Sequence, residues 1–287
     1  MTFLKTLKTT AIGALTAGFV ATGAANAGNI IITGHDTDDH NASTFMNWAI
    51  TALLNSGTNV AANIPTTSQT GPKIGYIGNV SASLSSYLGN YDNFQFYDLD
   101  VTSGGSDWKN AFTDNNDVLV IGSGLDFVNS TGSARLNAEA AAFTTYFNND
   151  GNLFVNTEQG LGATYYDFIP NFGTTNNASL PGCSSENGSG NCMNVTAEGT
   201  ARDHTIGQIV NANITHNRFN NVDPVFEVLS IYVNSGGTGT GDAITIAAFD
   251  ATINEGGGFE TNVPEPGTLA VFGLGLLGLG AYRRRKA

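Results

Sequence analysis

Asp117-Val118-Leu119-Val120-Ile121-Gly122 is the strongest strand signal in the chain. Its uninterrupted aliphatic run is typical of a strand buried on both faces. An Ala-rich segment, residues 133–148, follows with helical spacing and ends before Gly151, and residues 152–156 form a second apolar run. Strand, helix and strand in this order predict two parallel strands joined by a helical crossover.

The same alternation extends toward the N-terminus. Strands are predicted at residues 29–34, 73–78 and 94–99, and helices at residues 41–54, 81–88 and 107–112. Alternating strands and helices predict an α/β domain with a mainly parallel sheet and helices on both faces. The second half is less regular, with a helix predicted near residues 203–211 and strands at residues 226–233 and 243–249.

The N-terminal 27 residues have the features of a secretory signal peptide. Lys5 and Lys8 precede an uncharged run of small and apolar residues, which ends in Ala25-Asn26-Ala27. A basic start, an apolar middle and a small-x-small end predict export through the Sec translocon and cleavage before Gly28.

The C-terminal segment, residues 263–287, has three parts. Pro264-Glu265-Pro266 precedes the uncharged run 268–282, and Arg283, Arg284, Arg285 and Lys286 follow it. Fifteen helical residues reach about 22 Å, which is short against a hydrocarbon core of about 30 Å. The cations hold their end in the cytoplasm, so residues 28–262 are expected on the far side of the inner membrane, in the periplasm, at the cell surface or outside the cell.

This C-terminal arrangement resembles the PEP-CTERM sorting signal. The resemblance rests on the Pro264-Glu265-Pro266 motif, the apolar run and the cluster Arg283–Arg285. It implies that an exosortase-type membrane protease is a partner, that the transmembrane helix is a transient stop, and that the mature protein is delivered to a surface rich in extracellular polysaccharide. A plain tail anchor is the alternative.

The charge of the body limits its partners. Six of the 11 Lys and Arg residues lie in the terminal segments, whereas only Glu265 of the 24 acidic residues does. The body therefore has five basic and 23 acidic residues, a formal charge near −18. Such a surface repels nucleic acid and favours cations or neutral, hydroxyl-rich polymers. The two cysteines, Cys183 and Cys192, are predicted to form a disulfide around a polar loop in an oxidising compartment.

Two loops are candidate functional sites, because ligands of parallel sheets bind outside the carboxyl ends of the strands. The first is Gly34-His35-Asp36-Thr37-Asp38-Asp39-His40, which follows the first strand. The oxygens of Asp36, Asp38 and Asp39 suit Ca²⁺, whereas His35 and His40 would suit a transition metal. Alternatively, Asp38, Asp39 or Asn41 only caps the following helix.

The second loop begins Asn156-Thr157-Glu158-Gln159-Gly160, after the strand at residues 152–156. A polar residue at the apex of a tight turn after a strand is the outline of a nucleophile elbow. Glu158, at the apex, could act as a nucleophile, general base or ligand, or only hold backbone amides.

With this loop, the body resembles class I glutamine amidotransferase-like domains, including the ThuA-like branch. The resemblance also uses Ile30-Ile31-Ile32-Thr33-Gly34 and the phrase Asp203-His204-Thr205-Ile206. It implies a flavodoxin-like fold over residues 28–262. The family has a Cys where this chain has Glu158, and its His-x-Glu pair has no counterpart after His204 or His216.

Three hypotheses follow from these residues. The leading one is a non-catalytic amidotransferase-like domain that binds polysaccharide or a divalent cation at His35, Asp36, His40 and Glu158. The second is an extracytoplasmic hydrolase that uses Glu158 with the His35–His40 loop. The third is a passive matrix component. Placement of the two loops on opposite sides of the molecule would exclude a shared site.

Overall fold

The computed structural model describes residues 27–35, 37–38, 43–55, 71–78, 93–99, 108–123, 130–156, 167–169, 176–179, 193–209, 217–233, 239–254 and 259–261. All of them fall within one compact unit, Asn26–Asn262. The strands are β1 Gly28–Thr33, β2 Ile74–Gly78, β3 Phe94–Asp98, β4 Val118–Ile121, β5 Asn152–Val155, β6 Asn176–Ser179, β7 Met193–Val195, β8 Asn217–Asn220, β9 Glu227–Val233, β10 Gly239–Ile253 and β11 Phe259–Thr261. The helices are α1 Ser43–Leu54, a 3₁₀ helix Trp108–Phe112, α2 Ser130–Ala138, α3 Ala140–Phe147, α4 Ala197–Ala201 and α5 Ile206–Ile209.

Five strands form a parallel half-sheet in the order β3-β2-β4-β5-β1. Their registers align one residue of each inner strand in a row: Ile77 pairs with Ile121, Ile121 with Val155, and Val155 with Ile32. Every residue of β1, β2, β4 and β5 is buried. The prediction of buried parallel strands is therefore confirmed for these four strands, whereas β3, at the edge, is buried only at Tyr97.

Helices cover both faces of the parallel strands. Along β1, Ile31 packs into the cluster that contains Phe45 and Trp48 of α1, whereas Ile30 and Ile32 pack into the cluster that contains Phe143 of α3. This alternation follows from the two-residue period of a strand, which sends successive side chains to opposite faces. Two separate apolar layers hold the sheet between them.

Taken over the whole body, the sheet is not mainly parallel, so that prediction is wrong. Among the described strand pairs, four are parallel and six are antiparallel. β10 is the centre of the antiparallel half, because it pairs with β1 and β8 along one edge and with β9 along the other. The sheet is mixed, and the order of its parallel strands, β3-β2-β4-β5-β1, is not the flavodoxin-like order 2-1-3-4-5.

The short connection between β9 and β10 explains why these two strands are antiparallel. Only residues 234–238 separate β9 from β10, whereas a parallel crossover needs a dozen or more residues. Neighbouring strands with so short a connection pair antiparallel. The sequence correctly predicted both strands, and their separation contained the information on their direction.

The helical predictions differ from the structure in two places. The helix predicted at residues 133–148 is two helices, α2 and α3, because Glu139 leaves helical geometry with φ −106° and ψ 19°. The helix predicted near residues 203–211 is reduced to α5, since Asp203 has a left-handed φ of 56° that a helix cannot contain. The helix predicted at residues 81–88 lies outside the described residues.

Candidate functional site at the carboxyl edge of the sheet

The ends of β1, β4 and β5 meet at one edge of the parallel half-sheet. Thr37 and Asp38 follow β1, Gly122 and Ser123 follow β4, and Asn156 follows β5. Because the strands are parallel, these residues all lie beyond the carboxyl ends. This is the edge at which α/β sheets bind ligands.

A hydrogen bond joins the two loops that the sequence singles out. Thr37 Oγ1 donates a short hydrogen bond to Asn156 Oδ1, and both residues are buried. Asn156 is fixed in turn, since its backbone N and its Nδ2 both donate to Ile121 O, at 3.0 and 3.1 Å. Thr37 lies inside the first predicted loop and Asn156 begins the second. The two loops therefore start on the same side of the molecule.

Asp38 is the buried carboxyl group of this edge. Its side chain is 4 % exposed, and its Oδ2 accepts hydrogen bonds from the Tyr76 hydroxyl and from Ser123 N, both at 2.7 Å. Its Oδ1 is buried and has no hydrogen-bond partner among the described residues. Burial raises the pKa of Asp38 above its ordinary value of 3.8, and hydrogen bonding from Ser123, Tyr76 and the backbone of Asp38 itself opposes this rise. The group is thus a desolvated carboxyl with one unused oxygen.

Gly122 leaves the room that this arrangement needs. A Cβ added at Gly122 would lie 2.2 Å from the Tyr76 hydroxyl oxygen and 3.1 Å from Asp38 Oδ2. The first distance is shorter than real Cβ contacts and the second is tighter than most of them, so a larger residue would displace the Tyr76 hydroxyl from this position. The glycine permits the close approach of strand β4 to the Asp38 carboxyl.

Two histidines flank Phe45 next to this edge. The rings of His35 and His204 both meet Phe45 edge-on, with centroid distances of 5.3 and 5.4 Å, and His204 stacks on Trp48 at 4.3 Å. His204 Nδ1 shares a hydrogen bond of 2.9 Å with Gln208 Oε1, and burial lowers the pKa of His204 to about 4. His35 is only 1 % exposed, so this predicted ligand-binding residue is packed within the aromatic layer.

Of the other predicted site residues, only Asp38 is described. Asp36, Asp39, His40 and Glu158 lie outside the described residues, as do Cys183, Cys192 and the sorting residues Pro264, Glu265, Pro266 and Arg283–Arg285. Sequence reasoning missed Thr37, Tyr76, Ser123 and Asn156. Asn156 carried a usable signal, because a polar residue directly after a buried strand has to find a partner inside the protein.

Within the part of the chain that the structure describes, no group of three or more His, Cys, Asp or Glu side chains could hold a metal ion. The same residues contain no helix that is long and apolar enough to cross a membrane. The predicted transmembrane segment and most of the predicted metal ligands lie outside them.

Comparison with known families identifies a protein-sorting signal at the C-terminus. Residues 262–286 match the PEP-CTERM protein-sorting motif. No curated protein and no solved structure matches the chain. The motif supports the prediction of an exported, sorted surface protein and implies processing by an exosortase. The amidotransferase-like resemblance of the body gains no support from these comparisons.

Proposed function

We propose that this protein is exported, sorted by its C-terminal motif to the cell surface or extracellular matrix, and carries a non-catalytic, amidotransferase-like body that binds a divalent cation at the carboxyl edge of its sheet. The observation that carries the binding role is the unused, buried Oδ1 of Asp38. A buried carboxylate oxygen without a partner is costly, and a bound cation would remove that cost.

The surroundings of Asp38 favour a cation over an anion. Asp36 and Asp39 flank it in the sequence, and the body has an excess of 18 acidic residues. Carboxylate oxygens are the preferred ligands of Ca²⁺. Asp38 would supply Oδ1, while Tyr76 and Ser123 N hold Oδ2 and fix the orientation of the carboxyl group.

Titration of the exported protein with Ca²⁺ and, separately, with Zn²⁺ in a calorimeter tests the binding role. We expect heat of binding and a rise in melting temperature with Ca²⁺, since a ligand at 100 times its Kd stabilises the native state by about 2.7 kcal/mol. Asp38→Asn should abolish both effects. Asp150→Asn is the matched control, because Asp150 lies just before β5, at the opposite edge of the parallel half-sheet. No heat with either metal excludes the cation site.

The sorting role is tested separately. Full-length protein with Glu265→Ala should keep the size of the uncleaved precursor and stay in the inner-membrane fraction, whereas Glu260→Ala, outside the matched residues, should be processed normally. Immunoblots of membrane, surface and medium fractions measure this. Normal processing of the Glu265→Ala variant would show that the motif does not direct sorting.

A second function, an extracytoplasmic hydrolase, is favoured by two observations. Thr37 contacts Asn156, two residues before Glu158, and Asp38 has the raised pKa that a general acid needs. In this alternative, Glu158 acts with the His35–His40 loop on sugar or amide bonds. Turnover of glycoside or peptide substrates that is lost in Glu158→Gln would establish it, and absence of turnover would exclude it.

A further inference from the structure

A cleft lies at the edge of the parallel half-sheet opposite the carboxyl-edge site. Its volume is about 730 Å³, and its lining includes Asp117, directly before β4, and Asn152, the first residue of β5. These residues are at the amino ends of strands whose carboxyl ends carry Asp38 and Asn156. The cleft is therefore distinct from the carboxyl-edge site, and it is large enough for a small ligand.

The cleft combines an aromatic floor with a polar rim. Phe112 and Tyr146 line it in an edge-to-face arrangement, with ring centroids 6.4 Å apart and an interplanar angle of 62°, and both are at least partly buried. Thr113, Asn115, Thr145 and Asn149 line it as exposed polar residues. Amide side chains both donate and accept hydrogen bonds, whereas an aromatic ring presents a flat apolar surface. This is a lining for a ligand that has hydroxyl groups around an apolar face.

Asn116 gives the cleft a buried polar group with unused capacity. Its side chain is 6 % exposed, and its Nδ2 donates to Ala111 O and to the Tyr97 hydroxyl, at 2.7 and 3.1 Å. Its Oδ1 is buried and has no hydrogen-bond partner among the described residues. Buried polar atoms nearly always have a partner. A ligand hydroxyl that donates to this oxygen would complete the site.

The charged residues of the cleft restrict the class of ligand that it can bind. Among the residues that the structure describes, its lining contains no Lys or Arg, and its charged members are Asp117 and Asp150. An anionic polymer would meet two carboxylates with no compensating cation and would be repelled. We propose that this cleft binds an uncharged saccharide, with the sugar ring on the face of Phe112 beside Tyr146 and its hydroxyls on the amides of the rim and of Asn116.

The backbone of the rim holds two amide or acid residues in unusual conformations. Asn115 and Asp150 have left-handed φ values of 51° and 66°. Asn and Asp tolerate this region better than most residues, although Gly adopts it more readily. Asn115 is thus a position at which the side chain can be removed as Asn115→Gly with little change to the backbone.

Affinity electrophoresis of the exported protein tests the proposal, with gels that contain dextran, pullulan or the anionic polymer alginate. We expect retardation by at least one neutral glycan and none by alginate. Ala142→Trp should abolish it, because Ala142 lines the cleft and an indole would fill the space. Ala141→Trp is the matched control, since Ala141 is the exposed neighbour on the same helix and does not line the cleft.

A second pair of variants keeps the test valid if Ala142→Trp fails to fold. Asn115→Gly should weaken retardation by about three- to tenfold, the loss expected for one hydrogen bond. Asn221→Gly, an exposed residue with φ 52° outside the cleft, should leave it unchanged. The proposal does not depend on the cation site, so Asp38→Asn should bind glycan normally. Equal retardation of Asn115→Gly and the unmodified protein, or no retardation by either neutral glycan, would overturn it.

Discussion

The Tyr76 hydroxyl donates a hydrogen bond of 2.7 Å to Asp38 Oδ2, and this bond links the loop after β1 to the middle of β2. Both residues are buried, at 1 % and 4 % exposure. Ser123 N donates to the same oxygen from the end of β4. One carboxyl oxygen therefore connects three segments that are far apart in sequence, and it fixes the geometry of the carboxyl edge.

Asp38→Asn should keep these contacts while it removes the titrating group. The amide oxygen can replace Oδ2 as the acceptor for Tyr76 and Ser123 N. Because the folded pKa of Asp38 is raised, the unmodified protein loses stability as pH increases above the ordinary value of 3.8, and the loss is complete above the folded pKa. Without added metal, Asp38→Asn should therefore gain stability relative to the unmodified protein between pH 3.5 and pH 7. Urea unfolding at both values measures this.

Asp38→Ala differs from Asp38→Asn because it removes the whole hydrogen-bonding group. It removes the acceptor and leaves Ser123 N without its observed partner, which should cost about 1–3 kcal/mol in free energy of unfolding. If Asp38→Asn destabilises as much as Asp38→Ala at pH 7, the carboxylate form itself stabilises the fold and burial does not dominate its pKa.

The close approach at Gly122 predicts a different response from two glycines. Gly122→Ala should cost about 1–3 kcal/mol, since its Cβ would lie 2.2 Å from the Tyr76 hydroxyl oxygen. Gly207→Ala meets no heavy atom nearer than 3.9 Å and should be neutral or stabilising by up to about 1 kcal/mol. Thermal and urea unfolding of both variants test the pair. A similar response from both would mean that β4 shifts freely and does not restrict the carboxyl edge.

The sequence contained enough to predict the parallel half of the fold. The aliphatic runs around Ile31, Ile77, Val120 and Phe154 are long, uncharged and separated by helical segments, so burial on both faces was their only stable arrangement. The antiparallel half was harder. β6 and β8 are four-residue strands rich in Asn, a residue that strands disfavour, so their pairing comes from tertiary contacts with β10 and with each other.

The candidate site likewise contains residues that the sequence indicated and residues that it did not. Asp38 was predicted as a ligand because acidic clusters are visible in a charge-poor sequence. Tyr76 lies in an apolar strand pattern, and nothing in its local sequence indicates that its hydroxyl reaches a loop 38 residues earlier. Contacts of this kind depend on strand order, which places β2 beside β4 and which the sequence pattern alone did not specify.

Replacement of Arg202 by Lys should lower the free energy of unfolding more than the same replacement of Arg218. Its Nε and Nη2 donate to the two carboxylate oxygens of Glu227, at 2.9 and 2.5 Å, and its guanidinium lies 4.7 Å above the ring of Phe249. Lys cannot reproduce this fork and stack, so Arg202→Lys should cost about 1 kcal/mol. Arg218→Lys replaces a single contact to Asp242 and should cost less than about 0.5 kcal/mol. Equal losses in urea unfolding would contradict this assignment.

His204 predicts how the protein responds to acid. Its pKa is about 4 in the folded state, against an ordinary value of 6.5, because it is buried between Trp48 and Phe45. The unfolded chain therefore binds the proton more strongly, and stability is fully present above pH 6.5 and decreases as pH falls toward 4. Two and a half pKa units correspond to about 3 kcal/mol.

His204→Phe keeps an aromatic ring against Trp48 and removes the titration, so it should lose less stability than the unmodified protein between pH 7 and pH 4. Urea unfolding across this range measures the difference, with His216→Phe as a control for the general loss of a histidine. Parallel pH profiles for the unmodified protein and His204→Phe would mean that His204 is protonated in the folded state and that its ring is hydrated.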